Sequence, residues 1–365
     1  PPLFYSRTYF EVLVKAVFVN KFGLENPMIL EEIDTPEPKS GQLLIKLGAS
    51  GVNPSDVATR SGKSHHSSHM KIPYIPGLEA AGEIVELGGH VREFDIGQRV
   101  FGRTLGGSYA DFVCLDASVA SVLPDSYSFE EGAGITLPLR TAWNALVIKA
   151  KVTPGETILV QGGAGGVGMS TIQLAREIGC RVIATVSSPE KALFCSQLGA
   201  DETINYKEEN LIEKCLELTK GKGVDVIVET AANENFHLDL KAIKVNGRIV
   251  VMGAGLGKNP RADFLVSDMM EKDAKVFGIT GVNLAKKMPF IVSKFSNLLE
   301  KGTIKFHVDK IFSLDDANRA HDLMLSGNFL GKLVLSRLRS VISTSKTTSC
   351  KHCLNTSDSL VKVFC

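Results

Sequence analysis

The chain has 365 residues, 44% of them hydrophobic and 22% charged, with a formal net charge of +1. That length accommodates two domains with sizeable cores, and the balance is ordinary for a water-soluble globular protein. Near-neutral charge gives no reason to expect a nucleic-acid or membrane surface, and no apolar run is long enough to span a bilayer.

Residues 1–13 read as an irregular leader whose apolar run is too short for a signal peptide and whose single arginine makes a weak transit peptide. From Val14 to about residue 125 the pattern predicts a β-rich region, with short strands at Val14–Val19, Gln42–Ala49, Ala80–Leu87, Arg99–Phe101 and Ser108–Val113 between Gly and Pro punctuation. Inside it, Lys63-Ser64-His65-His66-Ser67-Ser68-His69 gathers three histidines. Such a trio can bind a metal or titrate near neutral pH. No carboxylate or cysteine completes a site, so a solvated loop is the expectation. Cys114, Cys180, Cys195 and Cys215 lie scattered in apolar or helical contexts, as reduced thiols of a cytoplasmic protein would.

From about residue 155 the rhythm changes to strand and helix in alternation. Strands are expected at Thr157–Val160, Arg181–Val186, Val226–Glu229, Arg248–Met252 and Lys275–Ile279, with helices at Val167–Ile178, Glu190–Leu198 and Leu211–Thr219. Near-continuous apolar strands between helices predict an α/β fold with a parallel sheet covered on both faces. An amphipathic helix over Pro289–Glu300 and a strand over 331–335 follow, most simply returning to the β-rich part. Residues 338–365, rich in Ser, Thr and Lys, are expected to be a disordered tail. Cys350, His352, Cys353 and Cys365 in that tail lack a second well-spaced pair, so no metal site is assigned there.

The stretch with most chemistry is the glycine turn between the predicted strand Thr157–Val160 and the helix after it. Gly163, Gly165 and Gly168, with Ala164, Gly166 and Val167 between them, have the G-x-G-x-x-G spacing of a dinucleotide-binding turn. The first glycine permits the tight turn, the second lets a pyrophosphate approach the backbone, and the third lets helix and strand pack closely. Beyond the next strand, an NAD site usually places Asp or Glu against the ribose hydroxyls. This chain has Ser187, Ser188 and Pro189, then Lys191. Hydroxyls and a cation in place of a carboxylate suit the 2′-phosphate of NADPH.

Several segments in order carry a resemblance. They are Val14-Lys15-Ala16-Val17, Gly51-Val52-Asn53-Pro54-Ser55-Asp56, Arg60-Ser61-Gly62, Ile72-Pro73-Tyr74-Ile75-Pro76-Gly77, residues 155–176 with Gln173 and Arg176, Asn205-Tyr206 and Ala232-Asn233. Together they resemble the quinone oxidoreductase (zeta-crystallin-type) branch of the medium-chain dehydrogenase/reductase superfamily over roughly residues 14–337. The resemblance implies a GroES-like β-rich substrate domain at 14–137, a Rossmann-type doubly wound cofactor domain at 138–281, and a return to the substrate domain at 282–337. It also implies NADPH, a cleft between the domains, and a homodimer or homotetramer. Tyr206 and Asn233 are implied as further cofactor contacts, and Thr141 as a hydroxyl facing the nicotinamide. Met252-Gly253-Ala254-Gly255 and Ile279-Thr280-Gly281 are implied as its enclosure, and they also end two strands at the carboxyl edge where ligands of such sheets collect. Asn53 and Asp56 are implied on the substrate side of the cleft, while the residues alone read equally as an Asx-turn fixing the Asn-Pro loop.

Departures matter too. Zinc-dependent relatives carry a cysteine and a histidine ligand where this chain has Asn53 and Leu78, so zinc-independent chemistry is expected. The tyrosine that the branch usually places shortly after Arg-Ser-Gly is here Ser64. The expectation is an NADPH-dependent quinone oxidoreductase acting on a quinone or conjugated carbonyl. An NADPH-dependent enone or 2-alkenal reductase, and an NADPH-binding structural or regulatory protein with little turnover, stand beside it.

Overall fold

The structure, a computed structural model, describes residues 13–336 apart from 65, 66, 105, 282 and 285–287. The expected leader before residue 13, the tail, and the histidine pair His65 and His66 fall outside the described residues.

The first half is built of strands. β1 (Leu13–Phe18) pairs antiparallel with β2 (Ile29–Asp34), and β3 (Gln42–Val52) runs into the short helix α1 (Pro54–Arg60). After them come β4 (Glu79–Leu87), β5 (Arg99–Arg103), β6 (Phe112–Asp116) and β7 (Ala120–Val122). The strand expected over Ser108–Val113 begins later, at Phe112. Tyr109 is instead engaged by loop bonds, donating to Pro76 O at 3.0 Å and accepting from Val17 N at 2.9 Å. Two helices, α2 (Phe129–Gly132) and α3 (Thr136–Trp143), follow, and the chain continues from α3 through a π-helical stretch, Asn144–Ala150.

The second half alternates β8 (Thr157–Val160), α4 (Gly166–Ile178), β9 (Arg181–Val186), α5 (Pro189–Leu198), β10 (Glu202–Asn205), α6 (Leu211–Leu218), β11 (Val224–Glu229), α7 (Ala232–Ala242), β12 (Ile243–Val251), α8 (Val266–Glu271) and β13 (Lys275–Gly278). These strands form one parallel sheet in the order β10-β9-β8-β11-β12-β13. Counted from β8, that is the doubly wound order 3-2-1-4-5-6, whose switch point lies between β8 and β11. The apolar strands serve two faces at once. Ile158, Val160, Val182, Val226 and Val228 enter one buried cluster, while Leu159, Ile183 and Ile227 enter the other. Each such side chain contributes about 1.5–3 kcal/mol on burial, so the sheet is a rigid platform for whatever its edge carries.

After α9 (Met288–Glu300), which packs on α3 and β7, the chain forms β14 (Val308–Phe312), α10 (Ala317–Ser326) and β15 (Lys332–Ser336). The second sheet has the order β14-β15-β3-β4-β5-β7, with β6 also paired to β3. β15 is antiparallel to β3, pairing Leu333 with Val52. It also meets the glycine turn: Gly331 N donates to Ala164 O at 2.7 Å. The last strand of one sheet thus holds the first turn of the other.

Candidate active site

β8 ends at the switch point and hands the chain to a turn fixed by a buried polar network. Gln161, itself buried, donates from Nε2 to Asp239 Oδ1 at 2.9 Å and accepts from Thr185 Oγ1 at 2.8 Å. Thr185 Oγ1 in turn receives Gly162 N at 2.9 Å. Burial raises the Asp239 carboxyl well above its ordinary range, with the neighbouring Glu229 adding to the rise.

The glycines divide the labour differently from the sequence expectation. The tight turn falls on Gly162, at φ +68°, and not on Gly163. A Cβ on Gly163 would lie 2.8 Å from Ala184 Cβ and 3.0 Å from Cys195 Sγ, so its role is close packing on β9 and α5. Gly168 is pressed against the carbonyls of Gly162 and Gly163, as the third glycine of such a turn should be. Gly165 differs from both: a Cβ there would meet nothing nearer than Gly162 O at 3.6 Å. It caps α4 with half-exposed backbone, leaving an open cradle before a helix N-terminus whose first N–H groups lack helical acceptors.

Past β9, Ser188 caps α5 through its Oγ, which accepts Lys191 N at 3.3 Å. Lys191 Nζ donates to Gly327 O at 2.7 Å, and burial followed by repulsion from Lys207 lowers its pKa. Ser187, Lys191, Tyr206 and Lys207 therefore gather at the carboxyl ends of β9 and β10. Tyr206 is 54% exposed. Lys207, a second cation, was not singled out from the sequence.

Across the switch point, Asn233 sits in the first turn of α7. Its Oδ1 is buried without a partner and lies against Gly255, whose lack of a side chain makes room for it. Met252, Gly253, Ala254, Ile279 and Thr280 line a groove of about 400 Å³ at the carboxyl ends of β12 and β13. Gly281 packs on Arg140 of α3, the neighbour of Thr141. Thr141 Oγ1 donates to Leu137 O at 2.7 Å, so its lone pairs remain to accept. A larger cavity of about 630 Å³, bounded by Phe194, Leu198 and Phe306, holds none of the expected residues.

Asn53 and Asp56 are both buried, at 4% and 3% exposure. Asp56 Oδ2 accepts Asn53 N at 2.9 Å as part of the N-terminal cap of α1, which Pro54 opens. Burial pushes the Asp56 carboxyl up to about 7. Asn53 donates from Nδ2 to Glu79 Oε2 at 3.0 Å, and its Oδ1 accepts Lys332 Nζ at 2.7 Å. Lys332 Nζ also donates to Glu79 Oε2 at 3.0 Å and Val52 O at 3.2 Å. Glu79 Oε1 receives Leu137 N at 2.5 Å. Neither Glu79 nor Lys332 was expected. Lys332 read only as one residue of a closing strand, because the pairing spans most of the chain.

A family model described as a zinc-binding dehydrogenase matches residues 166–297, and one described as an alcohol dehydrogenase GroES-like domain matches residues 39–125. The chain is 36% identical over 332 residues to the quinone oxidoreductase of Rattus norvegicus, covering 88% of this chain and 98% of that protein. It is 34% identical over 331 residues to the quinone oxidoreductase of Homo sapiens, with the same coverage of both. Among solved structures, the Escherichia coli quinone oxidoreductase complexed with NADPH superposes with a TM-score of 0.79 at 27% identity, covering 88% of this chain and 99% of that one.

Proposed function

This chain belongs to the quinone oxidoreductase branch of the medium-chain dehydrogenase/reductase superfamily, and from that membership we propose that it reduces a quinone with NADPH without a catalytic metal. The observation that carries the reading is the pairing, across one switch point, of the open cradle at Gly165 with the unpartnered acceptor Asn233 Oδ1. Buried polar atoms without partners are rare in folded chains, and a ligand that donates to this one explains it.

In this reading the pyrophosphate rests on the half-exposed backbone of Gly165, Gly166 and Val167, while Gly163, Ala164 and Gly168 pack the turn beneath it. Ser187, Lys191, Tyr206 and Lys207 hold the 2′-phosphate, because two cations and two hydroxyls match its charge. Asn233 accepts from the ribose. Met252, Gly253, Ala254, Gly255, Ile279, Thr280 and Gly281 enclose the nicotinamide end, with Thr141 as acceptor for an amide N–H. NADPH when bound supplies a hydride at nicotinamide C4. The chain's contribution is orientation and exclusion of water. Asn53 and Asp56 act as positioning residues: the cap they form fixes the wall of the cleft beside Glu79.

The donor set argues against zinc at the position its relatives use. Asn53 Oδ1 is occupied by an ammonium, Lys332 Nζ, and Leu78 offers no lone pair. Assembly into a homo-oligomer through β13 is supported by its place at the sheet edge and by exposed Leu265, Val266, Met270 and Val276 nearby. A reducing, cytoplasmic setting fits the free thiols of Cys114, Cys180, Cys195 and Cys215. No helix among the described residues is long and apolar enough to cross a membrane.

The test is binding first and turnover second. NADPH is expected to bind and to be consumed when ortho- or para-quinones are added. Tight binding with no consumption by any acceptor would overturn the catalytic reading and leave a non-catalytic NADPH-binding protein.

A further inference from the structure

Arg140 is 4% exposed, yet its Nε and Nη1 are buried without a hydrogen-bond partner. Arg103, half-buried on β5, likewise has a buried Nε without a partner. Neither arginine is in an ion pair among the described residues. Helix α3 packs against β5, and repulsion from Arg103 adds to burial in lowering the Arg140 pKa to about 10. Glu79, across the β4–β5 pairing from Arg103, is the acid whose charge acts on Arg140. Its carboxylate is already committed to Leu137 N, Asn53 Nδ2 and Lys332 Nζ, so it neutralises Lys332 and leaves the two guanidinium groups over.

A buried guanidinium with unpartnered donors, and a second cation near enough to repel it, is strongly unfavourable unless an anion joins them. Their place narrows which anion. Arg140 immediately precedes Thr141 on α3. A Cβ on Gly281 would lie 2.5 Å from Arg140 Nη2, so the guanidinium packs directly on the backbone that follows β13. That backbone directly continues Ile279 and Thr280, which line the groove where the reading above seats the nicotinamide. The phosphates of the cofactor are accounted for at the turn and at Lys191 and Lys207. The remaining ligand is the acceptor.

We propose that Arg103 and Arg140 form a carboxylate-binding subsite, so that the physiological acceptor is a conjugated carbonyl or quinone bearing an acidic side group. The proposal rests on the reductase reading for the seat of the nicotinamide. The planar forks of the two arginines suit a carboxylate bridging them, and charge-assisted bonds in a water-poor site are strong. Both arginines are specificity-determining here and carry no proton in the reaction.

The experiment uses a para-benzoquinone with a carboxylate-terminated side chain and its methyl ester. Dissociation constants are measured on the full chain saturated with NADP+, where nothing turns over, and kcat/KM is measured separately with NADPH. The acid is expected to bind at least tenfold more tightly than the ester, with the advantage appearing in KM and not kcat. Arg103→Gln and Arg140→Met should each shrink that ratio and together bring it near one, with NADPH affinity unchanged in Arg103→Gln. Arg103 is half-buried, so its variant keeps the test valid if Arg140→Met does not fold. Equal binding of acid and ester, or a preference that survives both substitutions, overturns the subsite. A loss of kcat shared equally by acid and ester overturns it too, in favour of charge stabilisation on the reduced oxygen. Failure of both compounds to consume NADPH would count against the reductase reading, while the binding ratio still decides the subsite.

Discussion

Gly165 and Gly168 are three residues apart in one turn, yet alanine at each should fail in different ways. At Gly165 the backbone has φ −82°, a conformation any residue adopts, and the nearest atom to a new Cβ is 3.6 Å away. Gly165→Ala should therefore leave stability within about 1 kcal/mol of wild type, any gain coming from the stiffer unfolded chain. The methyl group would stand in the cradle where the pyrophosphate must approach. Displacing it from even one charge-assisted backbone bond costs about 1.5–3 kcal/mol, and two such bonds correspond to a loss of NADPH affinity on the order of a hundredfold or more. Gly168→Ala instead drives a Cβ into the carbonyls of Gly162 and Gly163, the latter at 2.5 Å, so it should lower the melting temperature as well as the affinity. Urea unfolding gives the first quantity and quenching of protein fluorescence by NADPH the second. A Gly165→Ala protein that binds NADPH like wild type would refute the assignment of the cradle, whatever its stability.

Removing both cations at the far end, as Lys191→Ala with Lys207→Ala, should cut the preference for NADPH over NADH by about tenfold, since each exposed contact to a phosphate is partly screened. An unchanged cofactor ratio in steady-state assays would show that the 2′-phosphate lies elsewhere. Asp56 gives a prediction in pH. Burial raises its carboxyl from the ordinary 3.8 to about 7, so the native state holds the proton more tightly than the unfolded chain. Its contribution to stability is then complete below about 3.8 and is lost as pH rises through about 7. Asp56→Asn should flatten the stability profile between those values and raise stability at pH 8. A profile parallel to wild type would contradict the buried cap. Glu79→Ala strands Lys332 Nζ in the interior and should cost about 3–5 kcal/mol, whereas Glu79→Ala with Lys332→Met should cost less than the single change. If the double variant unfolds more easily than the single one in urea, the ion pair is not what holds that wall.

The cofactor half was readable because its signals are local. Thr157–Val160 and Arg181–Val186 appear in the structure with the bounds that apolar runs and glycine punctuation suggested. The amphipathic helix and the 155–176 turn were equally plain. What escaped depends on distance or on mixed patterns. β2, Ile29–Asp34, carries acids on an exposed hairpin arm and so shows no alternation. α1 announces itself with Asn53 before Pro54, a helix start that resembles an isolated Asx-turn in the local sequence. Strand β14 and helix α10 are polar enough to pass for linker between the amphipathic helix and the last strand. At the site, Lys332 meets Asn53 and Glu79 only once β15 pairs with β3, a contact across nearly the whole chain. Arg140 did leave a trace: a lone guanidinium inside the apolar Ile135–Ala145 stretch, a buried charge without a local reason.

Acceptor-dependent oxidation of NADPH by the wild-type chain tests the central claim most directly. The oxidation is followed by absorbance with an ortho-quinone, a para-quinone and a simple enone, and the best case is repeated with NADH. Consumption should be fastest with a quinone and NADPH, and NADH should be much the poorer donor. Consumption with the enone alone, or equal rates from the two cofactors, would contradict the account.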